Sequence, residues 1–186
     1  MEIKDSKILV IGGAGFIGSF VVTELLKYPV KEVVIYDNFA RGNKQYLEEQ
    51  LKDERCSIFP FGGDIRETDI LDTAVQGKDY VISLAAMWLL HCKDYPRTAF
   101  NVNIAGTFNV FEACVKHNIK KLIVINHCDC GAAKIINGQK KFNAINEKKI
   151  HKASFLKLKK IFKRKYPKLN IEFKIISLNK KIENFR

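Results

Sequence analysis

Residues 1–125 alternate between short apolar runs and stretches with apolar residues at helical spacing. Lys7-Ile8-Leu9-Val10-Ile11 is a continuous run rich in β-branched residues, the pattern of a parallel strand buried on both faces. Gly12-Gly13-Ala14-Gly15-Phe16-Ile17-Gly18 follows at once. Ser19 to Lys27 then carries Phe20, Val21, Leu25 and Leu26 at helical spacing, with Val22 beside them. Glu32 to Tyr36 is a second strand-like run, and it ends on Asp37. Residues 38–42 read as a loop, 44–53 as a polar helix, and 56–61 as a third strand interrupted by Pro60. A short helix over 68–76 and a fourth strand with its exit over 79–86 come next. Residues 96–118 hold the longest helical pattern, in which Gly106 permits close packing at a propensity cost of ~1 kcal/mol. Residues 120–125 predict a fifth strand. Further on, 147–165 predicts an amphipathic helix with Ile150, Ala153, Leu158, Ile161 and Phe162 on its apolar face. Tyr166-Pro167 ends it, and 169–178 predicts a sixth strand with alternating Ile171, Phe173 and Ile175. Repeated strand–helix units of this kind predict the α/β class, as a Rossmann-like doubly wound parallel sheet with helices on both faces.

The glycine-rich stretch has a chemical reading because of where it lies. A strand must turn into a helix with almost no loop, and glycine permits the backbone angles. The free N–H groups and the positive dipole end of the helix then face outward, as a site for phosphates. The second strand ends on Asp37, 19 residues beyond Gly18. A carboxylate there accepts hydrogen bonds from the ribose hydroxyls of an adenosine and repels a 2′-phosphate. That favours NAD over NADP, and Arg41 is the one argument for NADP.

Gly12-x-x-Gly15-x-x-Gly18 with Asp37-Asn38 resembles the extended short-chain dehydrogenase/reductase family, and within it the NAD-dependent epimerases and dehydratases of the UDP-glucose 4-epimerase type. The resemblance implies that Gly12, Gly15 and Gly18, with the Phe16 and Ile17 amides, cradle the pyrophosphate of NAD. It implies that Asp37 and Asn38 hold the adenosine ribose. Gly63-Asp64-Ile65 matches a family segment beside the adenine, which carries that contact onto Asp64 and Ile65. An Asp capping the next helix is the competing reading of Asp64. Leu84-Ala85-Ala86 matches the small residues at a strand end across which the cofactor lies. Some epimerases carry a cofactor-bonding lysine two residues further on, where this chain has Trp88. Asn103 in Asn103-Ile104-Ala105-Gly106-Thr107 matches the Asn that reaches the cofactor, with a helix-surface amide as the competing reading. On this resemblance residues 1–178 form an NAD-binding Rossmann domain, regular over 1–125 and divergent and basic over 132–178, with 179–186 as a tail. The partners it implies are NAD and a nucleotide-sugar, and a homodimer through helices 96–118 and 147–165.

The resemblance stops at the catalytic positions. The family's fifth strand runs into Ser/Thr residues, whereas this chain reads Asn126-His127-Cys128-Asp129-Cys130-Gly131. The family also needs Tyr-x-x-x-Lys, in which lysine and the nicotinamide charge lower the phenol's pKa so that it serves as base. The residues four positions after the six tyrosines are Glu32, Ala40, Gln50, Leu84, Ala99 and Asn170, none of them lysine. In the register of the family's catalytic helix, Lys148 takes the tyrosine slot and Lys152 the lysine slot, which leaves Lys152 as the catalytic candidate. A rival register puts Cys130 in place of the tyrosine and Lys134 four residues on, at the cost of a whole loop. The portion that closes over the nucleotide-sugar is essentially missing, so an impaired or truncated relative is the first reading. An active enzyme using atypical residues or a partner chain is the second.

Charge adds a boundary. The net charge is +12 over 186 residues. Residues 1–133 hold 15 Lys/Arg against 17 Asp/Glu, a net of −2, and residues 134–186 hold 17 against 3, a net of +14. The basic tail suits a solvated face, with binding to nucleic acid or an anionic surface as the competing reading. His127-Cys128-Asp129-Cys130 gathers metal-ligand types, but a tetrahedral site needs a second pair that only His91 and Cys92 could supply from another strand end, and no metal is assigned. Five cysteines at irregular spacing are no disulfide framework and suit a reducing, cytoplasmic compartment. No apolar run is long enough to cross a membrane, and Met1 to Asp5 lacks the layout of a signal peptide.

Overall fold

The computed structural model describes residues 3–119, 121–127, 138, 143–177 and 182–185. It divides into two compact units, residues 1–119 and 120–186.

The first unit is built on a parallel sheet in the order β3-β2-β1-β4, from β1 (Lys7–Ile11), β2 (Glu32–Tyr36), β3 (Cys56–Ile58) and β4 (Tyr80–Ser83). β1 is central, pairing Ile8 with Val33 on one side and with Tyr80 on the other. Alternate residues of β1 and β2 feed two separate cores. Leu9, Ile11, Val34 and Tyr36 face Leu71, Ala74 and Val75 of α2 (Thr68–Val75) and Val110 and Ala113 of α5 (Thr107–Lys116). Ile8, Val10, Val33 and Ile35 face Val22 of α1 (Phe16–Leu26) and Leu47. The run of apolar residues without alternation, read from sequence as burial on both faces, corresponds to these two cores.

Several elements depart from the sequence expectation. Helix α1 starts at Phe16 rather than Ser19, and its buried residues are Gly18, Ser19 and Val22. Phe20, expected on the packed face, is 64% exposed. Small residues occupy that face because the glycine turn lies against it. The polar segment 44–53 forms two 3₁₀ turns, Lys44–Leu47 and Gln50–Lys52, the first capped by the Asn43 side chain, which accepts from Gln45 N at 3.0 Å. The third strand ends at Ile58, two residues before Pro60. The long helix over 96–118 is preceded by a short helix, α3 (Leu89–Asp94), and is divided into α4 (Pro96–Phe100), a π-helical segment (Asn101–Gly106) and α5. A Cβ on Gly106 would press against Ile65 Cγ1 at 2.7 Å, which accounts for glycine inside a helical run.

The second unit contains β5 (Lys121–His127), α6 (Ala144–Lys165), β6 (Asn170–Ile176) and β7 (Ile182–Phe185). β5 and β6 pair in parallel, and β7 adds to β6 in antiparallel register, Ile175 opposite Glu183. The expected tail over 179–186 thus contains a strand. The buried stripe of α6 is Glu147, His151, Phe155 and Phe162 rather than Ile150, Ala153 and Ile161; Ala153 is exposed and Ile161 is 53% exposed. The large rings decide the rotation: Phe155 stacks on Phe173 of β6 with centroids 4.8 Å apart. No helix among the described residues is long and apolar enough to cross a membrane.

Candidate dinucleotide-binding site

The carboxyl ends of β1, β2 and β4 meet at the glycine turn of the first unit. Gly12 N donates to Tyr36 O at 2.8 Å, and Leu84 N donates to Ile11 O at 2.8 Å, so both neighbouring strands clasp the exit of β1. Gly12 has φ +78°, a conformation that only glycine adopts without strain, and a Cβ there would meet Ala85 N at 2.8 Å. A Cβ on Gly18 would run into the carbonyl oxygen of Gly12, so the helix can lie this close to the turn only with glycine there. Gly15 caps α1 without any side-chain hydrogen bond, and the first turn carries no acidic residue. The first-turn amides of Phe16, Ile17 and Gly18, which a helix leaves without intrahelical acceptors, therefore meet no side-chain cap, and no acidic side chain of that turn offsets the positive end of the helix dipole. This is the composition of an anion cradle.

Asp37 is held against that cradle. Its Oδ2 accepts from Ala14 N at 2.9 Å and its Oδ1 from Phe39 N at 2.8 Å. Each carboxylate oxygen retains acceptor capacity for a ribose hydroxyl. Asn38 is exposed, its Oδ1 accepting from Ala40 N at 3.1 Å and its Nδ2 donating to Asp64 Oδ2 at 3.4 Å. Asp64 is gripped by Arg66, whose Nε donates to Oδ1 at 2.9 Å, and this hydrogen bond holds the carboxyl below its usual range. The Asp64 carbonyl accepts from Tyr36 OH at 2.8 Å, and the Ile65 carbonyl accepts from Asn109 Nδ2 at 3.0 Å. Burial pushes the Tyr36 phenol up, so this hydroxyl stays a donor. Asp37, Asn38 and Asp64 are thus brought together beyond β2, while Ile65 is buried below them.

On the other side of the turn, Leu84, Ala85 and Ala86 form the exit of β4, with Leu84 and Ala86 exposed and Ala85 half-buried. Asn103 pins this exit. Its Oδ1 accepts from Met87 N at 2.7 Å, and its Nδ2 donates to Met87 O at 2.9 Å. The amide is engaged with backbone, neither a solvated surface group nor one pointing freely at a ligand. Sequence reasoning missed two further features. Phe39 has φ +55°, a left-handed conformation costly for an aromatic residue, by about 1–3 kcal/mol. Arg41, from the loop after β2, lies over the Trp88 ring at 4.8 Å from its centroid. Nothing in their spacing signalled that contact, which depends on the strand order.

The described thiols of the first unit are poor nucleophiles where buried: burial pushes Cys56 up to about 11 and Cys114 up to about 12. Among the described residues no group of three or more His, Cys, Asp or Glu is placed to hold a metal ion. Cys128, Asp129, Cys130 and Lys134 lie outside the described residues. In the second unit, Lys148 makes an ion pair with Glu183 of β7 at 2.8 Å, and Lys152, one turn on, is exposed.

A family model described as the 3-beta hydroxysteroid dehydrogenase/isomerase family matches residues 9–168. The UDP-glucose 4-epimerase of Rickettsia bellii is 32% identical over 124 residues, which cover 66% of this chain and 36% of that enzyme. The chain therefore matches about a third of the length of this curated relative. A UDP-N-acetylglucosamine 4-epimerase structure from Methanobrevibacter ruminantium superposes with a TM-score of 0.63 at 26% identity, over 94% of this chain and 54% of that one. The Thermus thermophilus UDP-glucose 4-epimerase, solved with NAD, gives a TM-score of 0.63 at 24% identity over 92% of this chain and 53% of that one, a likeness of fold. With the fingerprint, the clasped turn and the family match in agreement, the chain belongs to the 3-beta hydroxysteroid dehydrogenase/isomerase family, within the NAD-dependent epimerases and dehydratases.

Proposed function

We propose that the chain binds NAD and is a nucleotide-sugar epimerase/dehydratase relative that holds the cofactor without supplying the family's usual catalytic groups. The observation that carries the first half is the cradle: a Cβ at Gly12 or Gly18 would collide with the backbone that shapes it, its helix end is uncapped, and Asp37 stands fixed beside it. Gly12, Gly15 and Gly18 with the Phe16 and Ile17 amides hold the pyrophosphate in this reading. Asp37 and Asn38 hold the adenosine ribose, and Asp64 and Ile65 flank the adenine. Leu84, Ala85 and Ala86 form the shelf on the nicotinamide side, and Asn103 fixes that shelf through Met87. NAD supplies hydride acceptance and return when bound.

The second half rests on chemistry that the sequence lacks. No tyrosine has lysine four residues on, and no Ser or Thr follows β5 before Ser154. Lys148 is engaged by Glu183, which leaves exposed Lys152 as the candidate base in this register. Homodimerisation through 96–118 and 147–165 belongs to the same reading. The test is a UDP-glucose turnover assay with added NAD, run on protein whose NAD occupancy is measured by equilibrium dialysis. Bound NAD without sugar conversion is the expected outcome. Conversion that Lys152→Ala abolishes would overturn the impaired reading in favour of an active enzyme.

A further inference from the structure

The contact between Arg41 and Trp88 connects two loops that the sheet keeps apart. Adjacent strands lie about 4.8 Å apart, so β2 and β4, with β1 between them, leave the sheet about 10 Å apart. Arg41 follows β2 and Trp88 follows β4, yet the guanidinium carbon lies 4.8 Å from the indole centroid. The pair therefore links the two loops that flank β1 and the glycine turn at its carboxyl end. The two loops are fitted to that turn on both sides. Asn43 N donates to Ala14 O at 3.1 Å, and Ala85 N would lie 2.8 Å from a Cβ on Gly12.

Arg41 is also prepared. Its loop is bent by the left-handed Phe39 and braced by the turns that Asp37 and Asn38 make with Phe39 N and Ala40 N. Trp88 is braced by His91, edge to face at 5.6 Å. Arg41 is exposed and makes no salt bridge among the described residues, so its charge is committed only to the indole face.

We infer that Arg41 is a diphosphate-binding residue, and that Trp88 is the platform on which its guanidinium is held over the glycine turn. This rests on the dinucleotide reading above. A diphosphate lying on the turn meets backbone amides and a helix end from below and a guanidinium from above. A bidentate charge-assisted contact to phosphate is stronger than an exposed cation–π contact, so the cation transfers from indole to anion when a diphosphate arrives. Asp37, on the ribose side, disfavours the rival role of Arg41 as a 2′-phosphate ligand.

Trp88 is the chain's single tryptophan, so its fluorescence reports the transfer directly. The experiment titrates adenosine, AMP, ADP, NAD and NADP into the full chain and into Arg41→Ala, Arg41→Lys and Trp88→Phe, reading calorimetric heat and tryptophan emission. The expected result is that Arg41→Ala weakens ADP and NAD by about tenfold or more, while adenosine changes less than about twofold. Arg41→Lys should recover part of the loss, and ADP should change Trp88 emission in the wild type but not in Arg41→Ala. Equal weakening of adenosine, or undiminished NAD affinity in Arg41→Ala, would overturn the inference while leaving the dinucleotide site intact. Tighter binding of NADP than NAD, lost in Arg41→Ala, would assign Arg41 to the 2′-phosphate instead. A folded wild type that binds none of these ligands would remove the dinucleotide reading itself, and this inference with it.

Discussion

Asp37 serves the fold directly and, in the proposed reading, the ligand as well. Its two oxygens accept from Ala14 N and Phe39 N, which ties the glycine turn to the loop after β2. The same carboxylate then needs no rearrangement to face a ribose. Asp64, placed on the adenine side in the proposed reading, carries a pH signature. Arg66 lowers its pKa in the fold, so the folded form binds its proton less readily than the unfolded chain. The stabilisation is therefore fully present above the ordinary carboxylate range and is lost as pH falls through the lowered value. Asp53 and Asp72 are lowered too, so the useful quantity is a difference. Comparing urea unfolding of the wild type and Asp64→Asn from neutral pH to below about pH 4 should show the gap in stability shrinking as acid is added. A gap that stays constant with pH would contradict the ion-pair account. At this scale the sequence was informative about positions and silent about partners. The glycine spacing and Asp37 were readable because their roles are backbone roles at fixed offsets. The engagement of Asn103 with Met87, and of Arg41 with Trp88, depends on which strand ends lie side by side.

Among the elements, the regular ones were legible and the interruptions were not. β1 and β2 are apolar throughout because both faces are buried, and that pattern is visible in the sequence alone. The segment 96–118 read as one helix because its apolar spacing runs through, but Asn101–Gly106 widens into a π-helical turn. That turn carries Asn103 to the backbone of Met87, and π-helical turns often mark functional positions. Asn103→Ala should leave Met87 N and O without these partners, at a cost of about 1–3 kcal/mol, and should loosen residues 84–88. Hydrogen exchange at Met87 N should accelerate markedly while β1 amides stay protected. Unchanged exchange at Met87 would show that the exit of β4 is fixed by other contacts. In the second unit, α6 turned out to be oriented by Phe155 and Phe162 rather than by its aliphatic residues. Ring stacking on β6 outweighed the spacing of smaller side chains. β7 went unrecognised because four residues of mixed polarity at the edge of a sheet carry little pattern of their own.

For the whole molecule, the division of charge and the division of structure nearly coincide. The first 133 residues sum to −2 and the last 53 to +14, while the structural boundary falls at Ile119. The first unit is a parallel sheet with a distinct core on each face, and the proposed cofactor contacts all fall within it. In the proposed reading, the groups that a working epimerase would need fall in the second unit or have no match in this sequence. That separation is the physical content of the proposal: a cofactor-holding half remains whole in its chemistry, whereas the base does not. The measurement that tests this most directly is calorimetric titration of NAD into the wild type and into Asp37→Ala. Micromolar binding by the wild type, weakened at least tenfold by the substitution, is the predicted result. A folded wild type that releases no heat with NAD, or binding that Asp37→Ala leaves untouched, would contradict the assignment of the glycine turn and its carboxylate as a dinucleotide site.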